Sequence, residues 1–76
     1  MSGGIGTYKE SSLHAALKHY LEPDAGRHER PFDGSVVDIL DDAGVIEIQT
    51  RSFRALRKKL ERLLPQTRVT VVYPVA

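Results

Sequence analysis

The sequence predicts a small α/β domain in the order α-β-β-β-α-β, a mixed sheet flanked by helices. Three observations carry this expectation. Two stretches with apolar residues at helical spacing bracket a run of short segments rich in β-branched residues. Turn chemistry separates those segments at intervals suited to hairpins. A last apolar segment then follows the second helix, as a crossover to a strand parallel with a neighbour requires. At 76 residues the chain makes one domain, near the size at which a single core is barely sufficient.

Residues 1–6 hold three glycines and read as a flexible tail. Thr7 through Leu21 has the spacing of an amphipathic helix, with Leu13, Ala16, Leu17, Tyr20 and Leu21 on one stripe. Thr7 and Glu10 have the form of a capping box. Pro23 and Gly26 end the helix. His14, His19 and His28 lack metal-site spacing and read as surface residues. Arg27 to Phe32 reads as a short strand that Pro31 confines to an edge. Asp33-Gly34 turns the chain directly into the next strand.

The central stretch, Val36 to Thr50, reads as two strands joined through Asp41, Asp42, Ala43 and Gly44. Pairing Leu40 with Val45 places Asp38 opposite Glu47. Alternation then puts Val37, Ile39, Ile46 and Ile48 on one face. Val36, Asp38, Leu40, Val45, Glu47 and Gln49 share the other. Two carboxylates opposite each other repel. A hard cation explains that arrangement, since Mg²⁺ is commonly held by one or two carboxylates plus waters. The same side chains also suit the wet face of a half-buried sheet.

Ser52 can cap a second helix that runs to Leu64 and stops at Pro65. Phe53, Leu56, Leu60, Leu63 and Leu64 form its apolar stripe, and Arg54, Arg57, Lys58, Lys59, Glu61 and Arg62 cover the rest. Arg68 to Tyr73 is a nearly continuous apolar strand, which suggests an interior position covered on both faces. A core this thin calls for more cover: either a longer parent of which this is the N-terminal part, or a homodimer.

Composition narrows the function. Without cysteine there is neither a disulfide framework nor a thiolate zinc site. No apolar run reaches the length of a membrane span and the N-terminus lacks a signal-peptide pattern, so a cytoplasmic protein is expected. Net charge is +1, but residues 1–50 carry about −5 and residues 51–76 about +6. That asymmetry points to an anionic partner.

An Asp on the second strand and Glu-x-Gln on the third, within helix–three strands–helix–strand, resembles the minimal core of the PD-(D/E)XK, or restriction-endonuclease-like, nucleases. The matching residues are Asp38 and Glu47-Ile48-Gln49, and the resemblance spans about residues 7–73. It implies a Mg²⁺- or Mn²⁺-dependent phosphodiesterase acting on nucleic acid, DNA more readily than RNA. Asp38, Glu47 and the Ile48 carbonyl would be the metal ligands. Gln49 stands where the family usually has Lys, and Glu10 matches the acid many members place on the first helix. Val37 replaces the motif proline. Arg51, Arg54 and Lys58 start beside the acidic cluster and are the candidate phosphate contacts. A non-catalytic nucleic-acid-binding or assembly module on the same fold is the alternative.

Overall fold

The computed structural model describes residues 12–50 and 53–74. Helix α1 (Ser12–Leu21) leads through a 3₁₀ turn, Ala25–Arg27, into strands β1 (His28–Phe32), β2 (Ser35–Asp41) and β3 (Gly44–Ile48). Helix α2 (Phe53–Leu63) then crosses to β4 (Val69–Val72). The four strands form one sheet in the order β1-β2-β3-β4, antiparallel except for the parallel pair β3–β4. The α-β-β-β-α-β mixed sheet predicted above is therefore the observed architecture.

Local chemistry accounts for the turns. Asp33 and Gly34 both take positive φ, 50° and 77°, as a tight hairpin turn with matching twist demands. At the second hairpin Leu40 pairs with Val45, and Asp41 with Gly44, so only Asp42 and Ala43 remain as loop. The Asp41 carboxylate accepts the N–H groups of Ala43 (2.8 Å) and Gly44 (3.1 Å), an Asx turn that holds the register.

Gly44 is tied to β4 as well. Its φ is +140°, outside the ordinary left-handed helical well but still open only to glycine at low cost. A Cβ there would lie 2.4 Å from the Arg68 carbonyl oxygen, which accepts the Val45 N–H at 2.9 Å. Gly44→Ala must push β4 away from β3 or twist the turn. An unfavourable φ alone costs on the order of 1–3 kcal/mol, so the expected loss exceeds about 2 kcal/mol. Urea unfolding measures it, and wild-type stability in the variant would contradict this account.

The core is small. Val37, Val45 and Leu63 are fully buried together, with Phe32, Leu40 and Val69 packed around them. Several sequence expectations are corrected here. Strict alternation put Val37 with Ile39, opposite Leu40 and Val45, yet it packs with Val45 and Leu63. The phase slips at Asp38. Neither neighbouring strand pairs with Asp38, and Glu29, its counterpart in β1, has φ of 49°.

The expected stripe of α1 is also displaced. Leu13 and Tyr20 are 51% and 82% exposed, whereas Lys18 is buried and His14, Leu17 and Leu21 are half-buried. Lys18 turns inward because its ammonium meets the Glu29 carboxylate at 2.9 Å. In α2, Leu56 and Leu63 are buried but Phe53 is exposed, as is Leu64 just past its end. Among the described residues strand β4 is not interior: it pairs there only with β3 and its residues are at most half-buried.

Candidate functional site

The backbone ladder between β2 and β3 ends at the pair Ile39–Ile46, and beyond it the side chains of Asp38 and Glu47 take over. The Asp38 N–H donates to Glu47 Oε2 at 2.8 Å. The Ile48 N–H donates to Asp38 Oδ2 at 2.8 Å. Each carboxylate stands in for the carbonyl that a continued ladder would supply, so the break leaves neither amide without an acceptor. The two acids predicted from the register are thus brought together, at a gap between strands.

A side chain from each helix reaches this gap. From α1, His14 Nε2 lies 3.3 Å from Asp38 Oδ2, both side chains largely buried. From α2, Lys59 Nζ donates to Glu47 Oε1 at 2.9 Å and to the Val36 carbonyl at 2.6 Å. Glu47 is only 5% exposed, so the predicted wet face of the hairpin is in fact covered. Burial pushes the Glu47 carboxyl above its ordinary 4.5; the Lys59 and Asp38 N–H hydrogen bonds oppose that rise, and the Asp38 charge adds to it only as a lesser cause. Mutual repulsion of the acids is thus secondary to desolvation.

The other predicted residues divide clearly. Ile48 is buried and joins the site through its N–H; Gln49 is half-buried at the end of β3, its N–H donating to the Val72 carbonyl at 2.9 Å. Arg54 and Lys58 are exposed on α2. Glu10 and Arg51, with the expected caps Thr7 and Ser52, lie outside the described residues. Sequence reading missed His14 and Lys59. It placed both on solvated faces, and the only available signal was their helical spacing from residues that do pack. His28 is likewise not a plain surface residue: its Nε2 lies 2.6 Å from the Glu22 carbonyl and its ring meets that of His19 edge-on.

As a cation site this donor set is sparse but chemically apt. Two carboxylates with waters suffice for Mg²⁺. Glu47 Oε1 already accepts from the Lys59 ammonium at 2.9 Å, which an incoming cation would have to share or displace. Among the described residues no group of three His, Asp or Glu side chains is arranged to hold a metal. No helix among them is long and apolar enough to cross a membrane.

Comparison with known proteins places the chain in a family. Residues 11–76 match the domain of unknown function DUF8091, and the chain belongs to that family. It is 42% identical over 73 residues to an uncharacterized protein of Treponema pallidum (strain Nichols). That match takes in 95% of this chain and 29% of the relative, so the chain spans less than a third of the longer protein. No solved structure matches the chain.

Proposed function

We propose that this domain is a divalent-metal-dependent phosphodiesterase acting on nucleic acid, built on a restriction-endonuclease-like minimal core and working in the cytoplasm. One observation carries the reading. At a break in the sheet Asp38 and Glu47 each accept a backbone N–H of the other's strand, with a lysine ammonium held against Glu47. Mg²⁺ or Mn²⁺ bound there would acidify a water and neutralise charge on the scissile phosphate. Asp38 and Glu47 would hold such an ion, Gln49 would orient the attacking water with its amide, and Lys59 would supply the positive charge that Gln49 lacks. Asp38 is oriented by the Ile48 N–H and faced by His14.

A second reading has its own support. Asp38 and Glu47 already accept backbone N–H groups, and Glu47 has a cationic partner. Such a closed network also serves a domain that binds nucleic acid without cutting it.

The test is a panel of labelled DNA and RNA, duplex and single-stranded, incubated with Mg²⁺ or Mn²⁺ and with a chelator. Metal-dependent cleavage is expected. No cleavage of any substrate, with Mg²⁺ still bound in calorimetry, passes the site to the binding module; no metal binding at all returns the acids to a structural clasp.

On either reading the exposed cations of α2 meet phosphates. Replacing Arg54 and Lys58 together by alanine is expected to weaken binding across all sequences and to reduce the slope of log affinity against log salt by about two. A filter-binding series in rising salt checks both. An unchanged slope would leave this helix face as solvated surface.

A further inference from the structure

Phe53, at the start of α2, and Tyr73, just past β4, put their rings in contact with centroids 4.8 Å apart and planes tilted by 39°. Both remain about half exposed, at 51% and 46%. Single exposed aromatic residues are ordinary, but two in contact make one continuous π surface with wet outer faces.

The pair lies at the end of the sheet that carries the acid pair. Strand β3 runs parallel to β4, with Glu47 beside Val71 and Ile48 beside Val72. The Gln49 N–H closes on the Val72 carbonyl, so Tyr73 follows directly on the residue that anchors Gln49. By alternation Tyr73, two residues past Val71, falls on the Glu47 side. Phe53 begins the same helix that delivers Lys59 to Glu47.

Charge decides what would cover the rings. From Phe53 to Leu60 the helix has four cations and no acid, and Arg54 and Lys58 are exposed one helical turn apart. The core of a protein interface favours aromatic rings and Arg but is depleted in Lys, and two of these four cations are lysines. An unpaired base with its flanking phosphates satisfies rings and cations together. A base inside a duplex has its faces already stacked on its neighbours and cannot offer one to a side chain.

Resting on the nucleic-acid reading above, we propose that Phe53 and Tyr73 form a stacking platform for an unpaired base, which makes single-stranded nucleic acid the preferred ligand of this domain.

Fluorescence anisotropy with labelled oligothymidine and with a blunt duplex, at low salt in a chelator, tests this apart from any cleavage. Phe53→Leu and Tyr73→Leu keep apolar bulk and remove the ring, while Tyr73→Phe keeps the ring. Thermal unfolding confirms that each variant folds. Each Leu variant is expected to bind oligothymidine about five- to a hundredfold more weakly, with duplex affinity moving less than about twofold and Tyr73→Phe binding as wild type. Leu variants that bind oligothymidine normally would overturn the platform, as would an equal loss on duplex or a wild type that binds neither ligand. A dimer in gel filtration that the Leu variants dissociate, without effect on oligothymidine, would assign the rings to a second copy instead. The two readings fail separately. Metal-dependent cleavage with ring-independent binding sinks the platform alone; ring-dependent binding without cleavage sinks the phosphodiesterase alone.

Discussion

Glu47→Gln is expected to abolish metal-dependent cleavage. The amide oxygen of the variant can still accept the Asp38 N–H that Glu47 Oε2 accepts at 2.8 Å, but the amide NH₂ then stands in place of Oε1 and cannot accept from Lys59. What it loses is the negative charge that would hold the ion. Stability should fall as well, because Lys59 loses its carboxylate partner, though less than for a fully buried pair since the lysine keeps 26% of its exposure. Losing the ion removes both the acidified water and the neutralising charge. The rate should therefore fall further than for Gln49→Ala, where losing one orienting donor costs about ten- to a thousandfold. Gln49→Lys should leave cleavage intact or raise it, since it adds positive charge beside the nucleophile. Single-turnover cleavage and calorimetric Mg²⁺ titration, run on all three variants, give the answer. A Glu47→Gln variant that cuts at the wild-type rate would remove the acid pair from the chemistry.

Lys59→Met is expected to give the largest loss of stability at the site. Deleting one partner of a buried ion pair leaves the other uncompensated, at a cost of about 3–5 kcal/mol. The Lys59 side chain retains 26% of its exposure and Glu47 only 6%, so the lower end, about 3 kcal/mol, applies at neutral pH. The sign of the pH dependence follows from Glu47. Its folded carboxyl is raised above the ordinary 4.5, chiefly by burial. The stability this shift contributes is present in full at pH below the unfolded value and is lost as pH rises through the folded one. Lys59 is one of the influences that hold the raised value down, so removing it lifts Glu47 further. The penalty of Lys59→Met should then be small in acid, where Glu47 carries its proton, and grow towards neutral pH. Urea unfolding on either side of that range measures it. A penalty of the same size in acid would show that the lysine acts through packing of its stem. Adding Glu47→Gln to Lys59→Met should recover most of the loss, because no buried charge then remains.

Features that depend on neighbours in sequence were legible without the structure. The Asp33-Gly34 turn and the pairing of Leu40 with Val45 follow from turn residues acting within a few positions of themselves. Element order followed from hydrophobic period, and the approach of Asp38 to Glu47 followed from that register. The edge position of β4 did not, since an apolar strand half-covered by one helix has the same composition as an interior strand. Its parallel pairing with β3 could be read from the crossover that α2 requires.

The sequence by itself determined which segments are helix and strand, and that two carboxylates would meet on the β2–β3 hairpin. Only the tertiary structure decided what surrounds them. Periodicity counts apolar residues, so it put Leu13 and Tyr20 inward and His14 and Lys18 outward; docking against Asp38 and Glu29 reversed that, because a charged side chain can be buried where another element brings its counter-charge. Lys58 and Lys59 are adjacent and chemically identical in the sequence. Which of them meets Glu47 depends on how α2 is rotated over the sheet, and Leu56 and Leu63 set that rotation by entering the core. The slip of phase at Asp38 was hidden for the same reason: strict alternation assumes an unbroken ladder, and here the side chains of Asp38 and Glu47 take the place of backbone carbonyls.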